Sequence, residues 1–224
     1  MSDAFLAPAA VDAWRIARER VPCESRFCEC PSASDAGRYS FTYVRDDLGL
    51  VYHDVPKAAS SYIRREFFDD DNAFSMRNPT AGRRYFSFTV VRNPWDRMIS
   101  NFVFFCRSEH RELRKRQFAS LHAAPVADFA EFVEIAARRA NHHWQPQDAY
   151  VPEGLDLVGR MEDLDDAVRR ICSVVGVAPK PVYRVNTTEH EHYSRYYDDA
   201  TRRRVAEMYR RDIERFGYEF EDHR

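Results

Sequence analysis

The sequence predicts one α/β domain with a central, mostly parallel sheet flanked by helices. At 224 residues the chain is long enough to bury a sizeable core as a single domain. Two strand–loop–helix elements follow one another, over residues 50–62 and 88–105. In the second, the apolar strand Phe88 to Val91 runs into Arg92, then a Pro-containing turn, then an amphipathic helix carrying Ser100. Open α/β sheets bind ligands at the carboxyl edge of their strands, which is where Arg92 falls. Arg92, with its planar fork, and the Ser100 hydroxyl, about two helical turns on, suit the gripping of one phosphate. The first element, Leu50-Val-Tyr-His-Asp-Val-Pro-Lys-Ala-Ala-Ser-Ser-Tyr62, suits a second. One such element per phosphate end points to a doubly phosphorylated nucleotide.

In order along the chain, residues 9–20 read as a short helix ending near Pro22, and 31–37 as turn material. The β-like runs Tyr39 to Val44 and Leu50 to Val55 flank Asp46-Asp-Leu-Gly49, a hairpin pattern whose second strand feeds the Lys57 loop. Tyr62 to Phe68 reads as helix, stopping at the acidic triplet 69–71, which reads as a solvated turn. An irregular stretch over 72–84 precedes strand 85–91 and helix 95–107. Asp128 to Ala140 is predicted helical, with Phe129, Phe132, Val133 and Ile135-Ala136 on one side and Asp128 as N-cap. Asp156 to Gly159 reads as a strand, and Leu164 to Val175 as a helix closed by Gly176. One C-terminal helix is expected from Asp198 to Phe216, ending at Gly217. No repeat or interdomain linker interrupts this order.

Composition narrows the function classes. The formal net charge of −2 does not make the chain a nucleic-acid binder by bulk electrostatics. No apolar run approaches the ~20 residues of a membrane span, and no secretory layout opens the chain, so a cytoplasmic protein is expected. Lysine occurs only at 57, 115 and 180, against a large majority of Arg, which singles out Lys57 inside the phosphate-type loop. A compact ammonium on a flexible stem suits a charge that shifts during group transfer. Cys106 and Cys172 fall in apolar helical stretches. Cys23, Cys28 and Cys30 cluster, but the spacing is not that of a common zinc knuckle and no fourth ligand is evident, so a thiol-bearing surface loop is the expectation over a metal site. Arg107, Arg111, Arg114 and Lys115 share a face if helix 95–107 continues; interleaved with Glu109 and Glu112, that face reads as solvated rather than as a site for an acidic acceptor.

The Pro56-Lys-Ala-Ala-Ser-Ser61 loop has small residues where a phosphate cradle needs them, and a helix N-terminus follows it. It is no Walker A loop, since no glycine lies between Gly49 and Gly82. On these residues the chain resembles the sulfotransferase superfamily, in particular the carbohydrate sulfotransferases and their bacterial relatives. The Lys57 loop resembles the family's 5′-phosphosulfate loop, and Val91-Arg-Asn-Pro-Trp-Asp-Arg-Met-Ile-Ser100 its 3′-phosphate element. Asp156 to Leu164, Val185-Asn-Thr-Thr188, Tyr196-Tyr-Asp198 and Asp212 to Tyr218 resemble later family segments in the right order. The match covers roughly residues 50–220. It divides the chain into an extension, 1–38, with the Cys cluster, and a sulfotransferase domain, 39–224, whose fold would resemble P-loop kinases.

The resemblance implies 3′-phosphoadenosine 5′-phosphosulfate (PAPS) as donor, 3′-phosphoadenosine 5′-phosphate (PAP) as product, and no metal requirement. By position, the main-chain amides of Ala58, Ala59, Ser60 and Ser61, with both Ser hydroxyls, would hold the 5′-phosphate. Arg92 and Ser100 would hold the 3′-phosphate, and Tyr62 and Asn186 are further donor-binding positions. Lys57 would stabilise charge on the leaving phosphate oxygen. For the base, His143 in Asn141-His-His-Trp-Gln-Pro-Gln147 is the first choice, since a neutral imidazole can take an alcohol proton. His142, His53 and Glu162 are the other candidates; beside Trp144, His143 could instead simply pack. A glycan hydroxyl is the favoured acceptor, with a lipid or small molecule also fitting. Two rivals remain: a nucleotide or small-molecule kinase, recognisable by a need for ATP and Mg²⁺, and a non-catalytic module binding nucleotide or acidic glycan.

Overall fold

A four-stranded sheet in the order β1-β2-β3-β4 organises the chain: β1 (Thr42–Arg45), β2 (Leu50–His53), β3 (Phe86–Val91) and β4 (Leu157–Arg160). The structure is a computed structural model that describes residues 42–68, 79, 81–107, 126, 128–139, 141–183 and 191–223. The expectations for residues 1–38, for the acidic triplet 69–71, for Arg111, Arg114 and Lys115 and for Asn186 lie outside the described residues. β1 and β2 pair antiparallel as the hairpin the Asp46–Gly49 turn predicts, with Gly49 at φ +62°. β2–β3 and β3–β4 pair parallel, through connections that carry helices. The two parallel strands β2 and β3 therefore deliver the Lys57 loop and Arg92 to the same edge of the sheet.

The helices are α1 (Ser60–Phe68), α2 (Pro94–Phe102), α3 (Phe129–Arg138), α4 (Leu164–Val175), α5 (Asp199–Met208) and α6 (Arg210–Phe216). Asn93 starts α2 by accepting from the Trp95 amide at 3.0 Å, with Pro94 in the first turn, where its missing N–H costs nothing. Trp95, Met98, Ile99 and Phe102 then bury one face of that helix. Asp128 caps α3 as expected, accepting from Glu131 N at 2.9 Å. Gly176 closes α4 in the left-handed conformation, φ +73°. β4 and α4 approach so closely that a Cβ on Gly159 would stand 2.7 Å from the Ala167 Cβ. Overpacking of that kind costs roughly 1–3 kcal/mol.

Two predicted helices end differently. The stretch expected as helix 95–107 is α-helical only to Phe102 and closes as a π-helical turn, Val103–Arg107. The single C-terminal helix expected from Asp198 to Phe216 is two, divided at Tyr209 (φ −114°, ψ 24°). Neither Pro nor Gly marks that break. The Tyr209 ring is buried and its hydroxyl donates to Trp144 O at 2.6 Å, so a tertiary contact positions it. Among the described residues no helix is long and apolar enough to cross a membrane.

Candidate active site

The Lys57 loop carries its backbone signature in two residues that are not glycine. Lys57 has φ +70° and Ala59 φ +62°, both left-handed. Such conformations cost ordinary L-residues of the order of 1 kcal/mol or more and collect at functional sites. Val55 to Ala58 is a turn closed by Ala58 N donating to Val55 O at 3.2 Å, with Pro56 and Lys57 as its central residues. Pro at the first central position and a positive φ at the second define a type II turn. Alternation of this sort turns successive amides toward one concavity, an anion nest. Ala58 N and Tyr62 N are spent inside the loop, the latter on Ala59 O. Among the described residues the amides of Ala59 and Ser60 meet no protein acceptor, and they sit at the N-terminus of α1, whose first turn carries no acidic side chain.

Side chains brace the loop from beneath. The Ser60 hydroxyl contacts the Asp54 carboxylate and Val55 O (2.9 Å), and Tyr52 donates to the same Asp54 oxygen at 3.0 Å. Ser60 thus faces the loop's interior. Tyr62 is buried against Tyr183, ring centroids 5.3 Å apart, and burial pushes its phenol up to about 12. Ser61 is half-buried.

Arg92 meets the loop directly. Its Nη1 donates to Lys57 O at 3.2 Å while Nε pairs with Asp96 at 2.8 Å, and the side chain is 9% exposed. Gln147 holds the Arg92 backbone from both ends, accepting its N–H and donating to its carbonyl, each at 2.8 Å. Ser100 is buried within α2, and among the described residues its hydroxyl has no hydrogen-bond partner.

Arg97 ties these parts together, and nothing in the sequence reading singled it out. Its guanidinium, 1% exposed, donates to Pro56 O (2.9 Å), Gln145 O (2.8 Å) and His143 O (2.9 Å). One buried fork therefore joins the Lys57 loop to the His143 segment. Asp212, fully buried on α6, accepts from the amides of Gln147 and Asp148, both at 2.8 Å. Burial raises its carboxyl to about 6 against those two bonds and the charge of Arg97.

The π-helical turn supplies the floor. Lys57 Nζ stands 3.8 Å from the centroid of the Phe104 ring, and His143 packs on both Phe104 (5.7 Å) and Phe105 (5.0 Å). A π-turn inserts a residue into the helical ladder and is frequent at functional sites; here it falls on the two aromatic residues that carry the Lys57 and His143 contacts. Asn141 Oδ1 accepts the His143 backbone N–H at 2.9 Å and lies 3.0 Å from His143 Nδ1. The backbone N–H identifies this atom as the amide oxygen, which carries no hydrogen and can only accept. The ring therefore donates from Nδ1, which leaves its basic lone pair on Nε2.

The other base candidates are placed differently. His142 is held down to about 4 by burial first and by the charge of Arg97 second, so it stays neutral at ordinary pH. His53 lies at the end of β2 with Nδ1 3.4 Å from Thr42 Oγ1, and burial lowers its pKa. Glu162 accepts from Asn93 N at 2.6 Å and from the Tyr218 hydroxyl at 3.0 Å, a brace at the start of α2.

The model of the sulfotransferase family matches residues 40–219, most of the chain. The chain belongs to the sulfotransferase family. It is a sulfotransferase enzyme, which moves a sulfuryl group, and its single α/β domain with a mostly parallel sheet agrees with that family. Searches of curated proteins and of solved structures returned no match. For this sulfotransferase the residues missed in the sequence reading are Arg97, Gln147, Asp212 and Phe104. Three of them lie inside stretches that carried the family resemblance, and that was their only sequence signal.

Proposed function

We propose that this sulfotransferase uses PAPS and transfers its sulfuryl group to an acceptor hydroxyl, with a glycan as the favoured acceptor. The observation that carries this reading is the convergence on one Phe104 ring of Lys57, from the left-handed loop, and His143, from the Asn141–Gln147 segment. PAPS, when bound, supplies an activated sulfuryl group on its 5′-phosphate. The residues present fit that group: unspent amides at Ala59 and Ser60 for one phosphate end, and Arg92 with Ser100 for the other.

Roles follow from the chemistry of each group. The Lys57 ammonium neutralises negative charge growing on the leaving oxygen as the sulfur–oxygen bond breaks. His143 Nε2 takes the proton of the acceptor hydroxyl as the new bond forms. Tyr62 supports the loop from the core side, and the family resemblance alone assigns Asn186 to the donor. The reaction asks the protein mainly for positioning and charge stabilisation, and this needs no metal.

Calorimetric binding of PAP, ATP and AMP without metal tests the donor assignment. Metal-free binding that depends on the 3′-phosphate is the expected result. Preference for ATP with Mg²⁺, or no binding of PAP, would remove PAPS as the donor.

A further inference from the structure

His192, Glu221 and His223 come together near the C-terminus, and nothing above uses them. Each offers one ligand atom, and these atoms all lie within 4.8 Å of one another. The two imidazoles pack with centroids 4.2 Å apart, and His223 Nε2 stands 3.9 Å from Glu221 Oε2. Imidazole nitrogens with a carboxylate oxygen form the donor set of zinc-type divalent cations. We propose that this cluster binds one Zn²⁺-class ion, with water completing its coordination. The ion fastens the C-terminal segment onto the 3₁₀ turn Tyr193–Tyr196.

The surroundings prepare the site. Ser194 is fully buried; its Oγ accepts the His223 backbone N–H at 3.1 Å and lies 2.9 Å from His192 Nδ1. A His192 ring that donates Nδ1–H to this oxygen presents Nε2 to the ion. An oriented partner on the second nitrogen is what metal-binding histidines almost always have. Nδ1 also lies 3.4 Å from the Ser194 backbone N–H, a contact the other tautomer accepts, so an ion on Nε2 requires the form that carries its proton on Nδ1. The backbone carrying the other ligands is pinned as well: Glu221 N donates to the Tyr193 hydroxyl at 2.7 Å, and Asn93 Nδ2 donates to Glu219 O at 3.1 Å.

A tetrahedral ion with ligands near 2.0–2.1 Å separates neighbouring ligand atoms by roughly 3.3 Å. The side chains of Glu221 and His223, 62% and 60% exposed, are the ones with room to rotate toward that spacing. The cluster shares no residue with the donor and acceptor roles proposed above, so its test is independent of that reading.

Titration of the full chain with Zn²⁺ by calorimetry, and with Co²⁺ by absorption, tests the site. One equivalent is expected, with a cobalt spectrum free of thiolate charge transfer and a Tm that rises with zinc. His223→Ala, at an exposed surface position, should weaken binding at least tenfold and abolish the Tm rise; His192→Ala should do the same. Changing Cys23, Cys28 and Cys30 to Ser should leave the affinity intact. Absence of binding, binding that survives both His substitutions, or binding lost with the cysteines would overturn the assignment.

Discussion

Replacing Arg97 with lysine keeps the charge and removes the fork. The guanidinium serves three carbonyls in three directions, at 2.8–2.9 Å, from a side chain that is 1% exposed. A lysine ammonium is a point donor and satisfies one of them well. His143 O keeps a second donor in Asn101 Nδ2 at 3.1 Å, so the loss falls mainly on Pro56 O and Gln145 O. Each hydrogen bond to a charged group contributes ~1.5–3 kcal/mol. Losing two, with water entering part of the vacated space, leaves a cost of about 2–4 kcal/mol. Against a total stability of about 5–15 kcal/mol the variant stays folded. Urea unfolding followed by tryptophan fluorescence reads the stability, since Trp144 is buried beside the lost contacts. PAP calorimetry reads the loop, which should bind more weakly once Pro56 is released. Arg97→Lys within about 0.5 kcal/mol of the parent, with unchanged PAP affinity, would refute the reasoning, because surface-like changes have that size.

Three further outcomes are expected. Ala59→Gly relieves a left-handed alanine and should raise stability by about 0.5–1 kcal/mol in urea unfolding; a decrease would mean the φ of +62° is not strained. Burial raises the Asp212 carboxyl from the ordinary carboxylate range, near 3.8, to about 6, so the folded state binds this proton more tightly than the unfolded state. Its contribution to stability must therefore fall as pH rises from about 4 to 6, by about 3 kcal/mol, and then level off. The stability difference between the parent and Asp212→Asn, measured by urea unfolding across that range, should show this downward slope, and an upward one would contradict it. Lys57→Ala should lower turnover about 10²–10³-fold while PAP affinity changes far less; equal losses in both would remove its transition-state role.

Local chemistry made most of the fold legible. The Asp46–Gly49 turn announces the β1–β2 hairpin, and Gly176 the end of α4, because a tight turn or a left-handed cap demands particular residues at one position. Apolar spacing places the buried faces of α2 and α3 for the same reason. The break at Tyr209 was not legible, since it depends on the Trp144 carbonyl, far away in sequence. The π-turn at Val103–Arg107 likewise leaves no periodic trace, as its residues are as apolar as those of a helix.

By itself the sequence determined the family and marked the two elements on which the proposed donor site rests, since a Lys in a small-residue loop and an Arg at a strand end are local patterns. Only the tertiary structure decided how those halves meet. Arg97 is one charged residue among many in the sequence, and burial alone turns it into the joint between Pro56, His143 and Gln145. The same holds for the assignment of Nδ1 as the donor on His143, which follows from an Asn141 oxygen already committed to a backbone amide. Hydrogen-bond partners distant in sequence acquire geometry only when the chain is packed. In a dry interior each carbonyl must find a donor, and that requirement gives a surface-type residue its role.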